Sequence, residues 1–287
     1  MMRPRLLLAI AIATVVTGCE DETPPVVVGS KNFTEQRVLG ELLAQTIESW
    51  GFTVERKLDL GGTMVCDSAL RAGQIDVYVE YTGTALSAIL KLPSTSTVMA
   101  AGPAAVLAKV KAEYSDKGLA WAEPLGFDNT FALVVREGTT ARTISEAVAP
   151  ARNWRAAFGY EFQSRPDGYP ALKRVYDMTF PDIRTMDLGL LYKALVDHQA
   201  DVVVGNATDA AITRFSLRAL DDDKHAFPPY EAVPVVRRAV LANHPGLTDA
   251  ILSLGGTINI ATMRRLNTAV EGDGRAPADV VREYLGG

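Results

Sequence analysis

Apolar positions along the chain follow two alternating periods. PVVVGS (25–30) is a short continuous apolar run, the form of a buried strand. It gives way to Val38, Leu39, Leu42, Leu43 and Ile47, spaced as one face of a helix. Asn32 and Glu35 precede that face three residues apart. They predict a capping box, each side chain satisfying a free backbone donor of the other. GFTVERKLDL (51–60) alternates as a strand, and GGT (61–63) turns into a helix through Ala69 and Leu70 that ends at Gly73. QIDVYVEY (74–81) predicts a strand and TGTALSAIL (82–90) the start of a helix. GPAAVLAKVKAEYSDKG (102–118) predicts a helix with Pro103 near its start and Gly118 past its end. FALVV (131–135) reads as a strand.

The order then restarts. AAFGYEF (156–162) predicts a strand, GYPALKRVY (168–176) and MDLGLLYKALVDHQ (186–199) helices, ADVVVGN (200–206) a strand and ATDAAITRF (207–215) a helix. After LDDDKHAFPPYEAVPVVRRAVL come helices expected at 246–254, 259–270 and 277–285. Such alternation predicts an α/β architecture with mostly parallel strands. Two βα series of similar size suggest two lobes. Ligands of such sheets bind at the carboxyl ends of strands, beside helix N-termini. Lys31, Thr84 and Asn206 fall at such ends.

Composition narrows the chemistry. The chain has 287 residues, 48% hydrophobic and 22% charged, with a net charge of −5 and both signs interspersed. No basic stripe suggests nucleic acid. The three histidines, His198, His225 and His244, stand apart, without a metal or Ser–His spacing. At the N-terminus, Arg3 and Arg5 precede an apolar run from Leu6 to Val16 and then VTGC (16–19). The run is short for a transmembrane helix and has the form of an export signal. The small residues before Cys19 look like a lipobox: residues 1–18 are expected to be removed, Cys19 to carry lipid, and 19–25 to serve as a polar tether. The other cysteine, Cys66, is then without a partner and is expected to be a small buried apolar residue.

GSKNFTEQ, LGGT, DVYVEYTGTAL, FDNTFALVV, FGYEFQSRPDGYPALK, MDLGLLYKAL and ADVVVGNATD stand in order along residues 26–285. Together they resemble the substrate-binding proteins of osmoprotectant ABC importers, which take glycine betaine, choline or proline betaine. The resemblance implies the type II periplasmic-binding-protein fold, with two α/β lobes, two crossing segments and a ligand cleft between. On that pattern the first lobe is 26–128 plus 231–287. The second is 129–230, with crossings near Asp128–Thr130 and Pro228–Tyr230. It further implies a lipid-anchored, extracytoplasmic monomer without cofactor or catalysis, partnered by a permease. GxxxxGK[ST] does not occur in this chain, so the ATPase would be a separate chain.

A quaternary ammonium has charge and bulk but no N–H to donate. Aromatic faces attract such a cation without forfeiting hydrogen bonds. The resemblance places Tyr81, Phe131 and Tyr230 in an aromatic cage, with Asn129 beside it. It places Lys31, Thr84 and Arg165 at carboxylate-binding positions. Removal of Tyr81 is expected to empty a cage wall with little unfolding. Several relatives carry a further cage tyrosine where this chain has Asn206, so one wall is more polar, and either small betaines bind weakly or a larger or more polar betaine, or another trimethylated solute, uses the amide. Two other functions compete: a sensor lipoprotein on the same fold, and a periplasmic enzyme using Asp128, Asp167 or Asp209. No nucleophile–base pair supports the enzyme.

Overall fold

The structure is a computed structural model and describes residues 23–93, 97–160 and 162–287. Cys19 and the expected export signal lie outside the described residues.

The chain begins with β1 (Val26–Lys31), α1 (Thr34–Ser49), β2 (Val54–Gly61), α2 (Thr63–Arg71) and β3 (Val77–Tyr81). A single turn α3 (Thr82–Thr84) runs into a π-helical stretch, Ala85–Ile89, followed by α4 (Thr97–Ala100), α5 (Pro103–Ser115) and β4 (Leu119–Trp121). The middle of the chain forms β5 (Phe131–Arg136), α6 (Ile144–Ala151), β6 (Arg155–Gly159), α7 (Tyr169–Tyr176) and β7 (Asp182–Met186). It continues with α8 (Leu188–Val196), β8 (Val202–Asn206), α9 (Ala210–Arg214) and β9 (Leu217–Ala219). The chain then forms β10 (Ala232–Arg237), α10 (Arg238–Asn243), α11 (Leu247–Leu252), α12 (Ile260–Glu271) and α13 (Pro277–Tyr284).

These strands make two five-stranded sheets, ordered β2-β1-β3-β10-β4 and β7-β6-β8-β5-β9. Each is mostly parallel, as the alternating pattern predicts. The exceptions are β10 and β5, which run antiparallel to both of their neighbours. Each of these two strands directly follows a segment that crosses from one sheet to the other. The crossing chain arrives at the carboxyl ends of the parallel strands, so the strand it feeds must run the opposite way.

Burial explains the helices. Val38, Leu39, Leu42, Leu43 and Ile47 of α1 are all buried and pack with α12, α13 and the first sheet. Val106, Val110 and Tyr114 of α5 repeat every fourth residue and cover the other face with Cys66 and Leu70. Cys66 is free and fully buried, and burial pushes its thiol up to about 11. Two further apolar clusters flank the second sheet.

The predicted capping box is not formed. Phe33 is the N-cap of α1 and makes no side-chain cap bond. Glu35 turns inward instead, where three side-chain donors meet it.

The two crossing segments lie side by side. Asp128 and Glu231 form an antiparallel bridge. Asn129 N donates to Tyr230 O (3.1 Å), Tyr230 N to Asp128 Oδ1 (2.9 Å) and Thr130 Oγ1 to Pro228 O (3.0 Å). Burial pushes the Asp128 carboxyl up to about 6.

Candidate functional site

A cavity of about 440 Å³ opens where the carboxyl ends of the two sheets face each other. Its lining comes from both sheets, both crossings and α12. Of the residues singled out in the sequence, Tyr81, Thr84, Asn129, Phe131, Arg165, Asn206 and Tyr230 line it.

Each ring is held by its backbone context. Tyr81 ends β3, where its side chain reaches the strand's carboxyl edge; its hydroxyl donates to Glu35 Oε1 at 2.5 Å. Tyr230 follows Pro228 and Pro229 in the second crossing and packs against Gly83. A Cβ at position 83 would lie 2.4 Å from Pro229 O and 2.9 Å from the Tyr230 ring, so glycine is required there. The Tyr230 hydroxyl donates to Asp167 Oδ2 at 2.7 Å. Phe131 opens β5 and meets Tyr230 edge-on, with centroids 6.2 Å apart. It also packs edge-on against Phe162 and Phe227.

Phe33 is a fourth ring that sequence reasoning missed. It is 40% exposed, lines the cavity and stacks on Tyr81 at 6.4 Å with an interplanar angle of 19°. A ring directly before the helical run, where a small polar cap is usual, is the signal in the sequence that could have found it.

Lys31, expected at a carboxylate-binding position, lies behind the cavity wall. It is 3% exposed, and its ammonium is bonded to the fully buried Glu80. Glu80 also accepts from Tyr81 N (2.7 Å) and the Tyr78 hydroxyl (3.1 Å). Lys31 is absent from the cavity lining and instead stands 4.9 Å from the centre of the Tyr81 ring. Its charge is engaged in a buried ion pair.

Arg165 does line the cavity, 38% exposed, with its guanidinium over the Phe131 ring at 5.2 Å. It is also bidentate to Asp167, through Nε at 2.9 Å and Nη2 at 2.6 Å. Burial raises the Asp167 carboxyl, but the Arg165 and Tyr230 donors outweigh that and hold it below the usual carboxylate range.

Acidic groups supply much of the remaining lining: Glu35, expected from the sequence only as a helix cap, Asp209, named there only for the competing enzyme, and Glu271, which the sequence reading missed. Glu35 is buried yet well dressed. Besides Tyr81 it accepts from Asn129 Nδ2 and Asn267 Nδ2, each at 3.0 Å. Burial raises its pKa against the lowering effect of these donors. Asn129 and Asn267 also join the two sheets, because Thr208 donates to Asn129 Oδ1 (2.7 Å) and Asn267 Nδ2 reaches Thr208 O (3.1 Å). Asp209 accepts from the Tyr192 hydroxyl (2.6 Å) and from Asn206 N (2.9 Å), and burial raises it too. Asn206 is therefore partly committed to Asp209, with its amide 3.4 Å from Oδ1.

Among the described residues, no group of three or more His, Cys, Asp or Glu is placed to hold a metal ion, and no helix is long and apolar enough to cross a membrane. A ring-lined cavity richer in carboxyls than in cations suits an organic cation.

Comparison with known proteins points the same way. The glycine-betaine-binding protein of Pseudomonas aeruginosa is 33% identical over 273 residues, covering 90% of this chain and 86% of that one. The carnitine transport binding protein OpuCC of Listeria monocytogenes is 32% identical, covering 90% of this chain and 85% of its own. A crystal structure of a glycine betaine/carnitine/choline ABC transporter protein superposes with a TM-score of 0.84 at 30% identity, covering 91% of this chain and 97% of that one. A family model described as the substrate binding domain of ABC-type glycine betaine transport systems matches residues 24–287, and this chain belongs to that family.

Proposed function

We propose that the protein is an extracytoplasmic receptor that captures a quaternary ammonium compound, glycine betaine or a close relative, and delivers it to an ABC permease driven by a separate ATPase. The observation that carries this reading is the joint lining of one interlobe cavity by four rings, Phe33, Tyr81, Phe131 and Tyr230, and three carboxyl residues. Ring faces attract a methylated cation at about 0.5–2 kcal/mol each, more when desolvated. Glu35 and Asp209 already have hydrogen-bond partners, so they add negative potential without being left bare when the cation arrives.

In this reading Tyr81, Phe131 and Tyr230 form the cage, with Phe33 at its edge and Asn129 positioning Glu35. Thr84, Arg165 and Asn206 receive the ligand's carboxylate where one is present. The ion pair with Asp167 moderates the pull of Arg165, so choline and betaines are closer in affinity than a bare arginine would make them. The lobes at 26–128 plus 231–287 and at 129–230 close about the paired crossings. Lipid on Cys19 tethers the monomer to the membrane, and the closed form is what the permease recognises.

Calorimetric titration of the purified protein against glycine betaine, choline, carnitine, proline betaine and ergothioneine tests the reading. At least one is expected to bind with a Kd at or below about 10 μM, roughly −7 kcal/mol. Failure of all five would overturn it.

A further inference from the structure

The cleft cavity does not end at its second-sheet wall. Another cavity, of about 510 Å³, lies within the second lobe. The two share Phe131, Arg165, Asn206 and Asp209 as lining residues, so they meet across those side chains. Beyond the shared wall the lining is largely apolar, with Phe162, Met186, Leu191, Tyr192 and Val204. Asp187 adds a carboxyl, and Tyr160, 62% exposed, also borders the space.

The wall between the cavities is fixed by local chemistry. Gly205 ends the buried part of β8, and a Cβ there would fall 1.9 Å from the Tyr192 hydroxyl and 2.6 Å from Asp209 Oδ2. The absence of a side chain at 205 lets Tyr192 reach Asp209, which in turn holds the backbone and amide of Asn206. Asn206 is thus a short side chain drawn toward Asp209.

We infer that the second cavity is a subsite for an apolar or aryl substituent of the ligand, so that the preferred solute is an α-substituted betaine, a trimethylated amino acid with a bulky apolar side chain, rather than glycine betaine itself. The inference rests on the onium reading of the adjoining cavity. Small-molecule sites typically measure about 300–1,000 Å³ and are mostly apolar with a few placed polar groups. Each cavity alone is within that range, and a trimethylammonium acetate needs only one. Apolar substituents gain by leaving water for such a lining. Asp187 and Asp209 disfavour an anionic substituent in the same space.

The test is a titration series of trimethylated amino acids: glycine betaine, then trimethyl-leucine, trimethyl-phenylalanine and trimethyl-glutamate. The phenylalanine compound is expected to bind about tenfold or more tighter than glycine betaine, the leucine compound to fall between them, and the glutamate compound to show no gain. Met186 lines only the second cavity of the two, so Met186→Trp should cut the aryl preference to about threefold or less while leaving glycine betaine binding in place. Met186→Phe, a smaller fill with thermal melts alongside, covers the case in which the tryptophan variant does not fold. Equal binding of glycine betaine and the aryl compound by the natural protein, or an undiminished preference in a folded filled variant, would overturn the subsite. Loss of all four compounds, glycine betaine included, would instead overturn the onium reading beneath it.

Discussion

The wall of the cleft built on the first sheet and the wall built on the second use different means. On the first, Glu35 is met by Tyr81, Asn129 and Asn267, donors from a strand end, a crossing segment and a C-terminal helix. The Lys31–Glu80 pair stands beside the same tyrosine. On the second, Phe131 is packed edge-on among Phe162, Phe227 and Tyr230, and the wall leads to further apolar space. A dense polar network holds charge in place and resists adjustment. A wall of rings and aliphatic side chains answers to shape. On the proposed function, the first wall does most to set the sign of the ligand's charge, with Asp209 adding to it from the second, and the second wall sets its size.

The largest effect should come from Lys31→Met, and it should be on stability rather than selectivity. Removing one partner of a buried ion pair leaves the other uncompensated, at a cost of about 3–5 kcal/mol. Urea unfolding would read this, while betaine and choline affinities of the folded fraction should shift together. A selective loss of carboxylate-bearing ligands would return Lys31 to the clamp.

Tyr230→Ala should weaken trimethylammonium binding about thirtyfold, near 2 kcal/mol for a desolvated ring, whereas Tyr230→Phe should stay close to the natural protein. Calorimetry on both variants separates the ring from the hydroxyl. The expectation that Tyr81 could be removed with little unfolding does not survive the structure. Tyr81 is 5% exposed and belongs to the buried core, and its hydroxyl holds Glu35. Tyr81→Phe is therefore the informative change there, costing about 1–2 kcal/mol of stability through the orphaned bond.

Glu35→Gln should lower affinity for choline and glycine betaine alike, by about tenfold. A pH series sharpens the point. Burial keeps the Glu35 proton to higher pH than an ordinary glutamate, and a bound cation favours the ionised form. Choline affinity should therefore fall as pH is lowered through that raised pKa and level off above it. The variant should show a shallower slope, the remainder coming from Asp209, which burial also raises. An unchanged slope would remove Glu35 from the charge-setting role.

Smaller still, Arg165→Ala should cost glycine betaine about fivefold more than choline, because the guanidinium already serves Asp167. Phe33→Ala should cost only about threefold, the value of an exposed ring, with no change in melting temperature.

The alternation of apolar runs made the two α/β series legible, along with most strands and helices near their observed positions. What it hid has physical causes. β7 is an edge strand whose central residues are largely exposed, so DIRTM carries no apolar signal. Asn32 and Glu35 have capping-box spacing, yet Glu35 finds better partners inside, from residues as remote as Asn267. Local spacing cannot report a donor more than two hundred positions away. The cavity rings Tyr81, Phe131 and Tyr230 were legible through motif resemblance, whereas the burial of Lys31 was not, because its partner Glu80 looks like an ordinary strand residue in sequence.

The proposed function requires that the cleft hold a permanent positive charge on a methylated nitrogen. The most direct measurement compares glycine betaine with 3,3-dimethylbutanoate, which has the same shape and carboxylate but a neutral quaternary carbon. Calorimetric titration should give glycine betaine an affinity about a hundredfold or more higher, near 3 kcal/mol. Equal affinities for the two would contradict the claim.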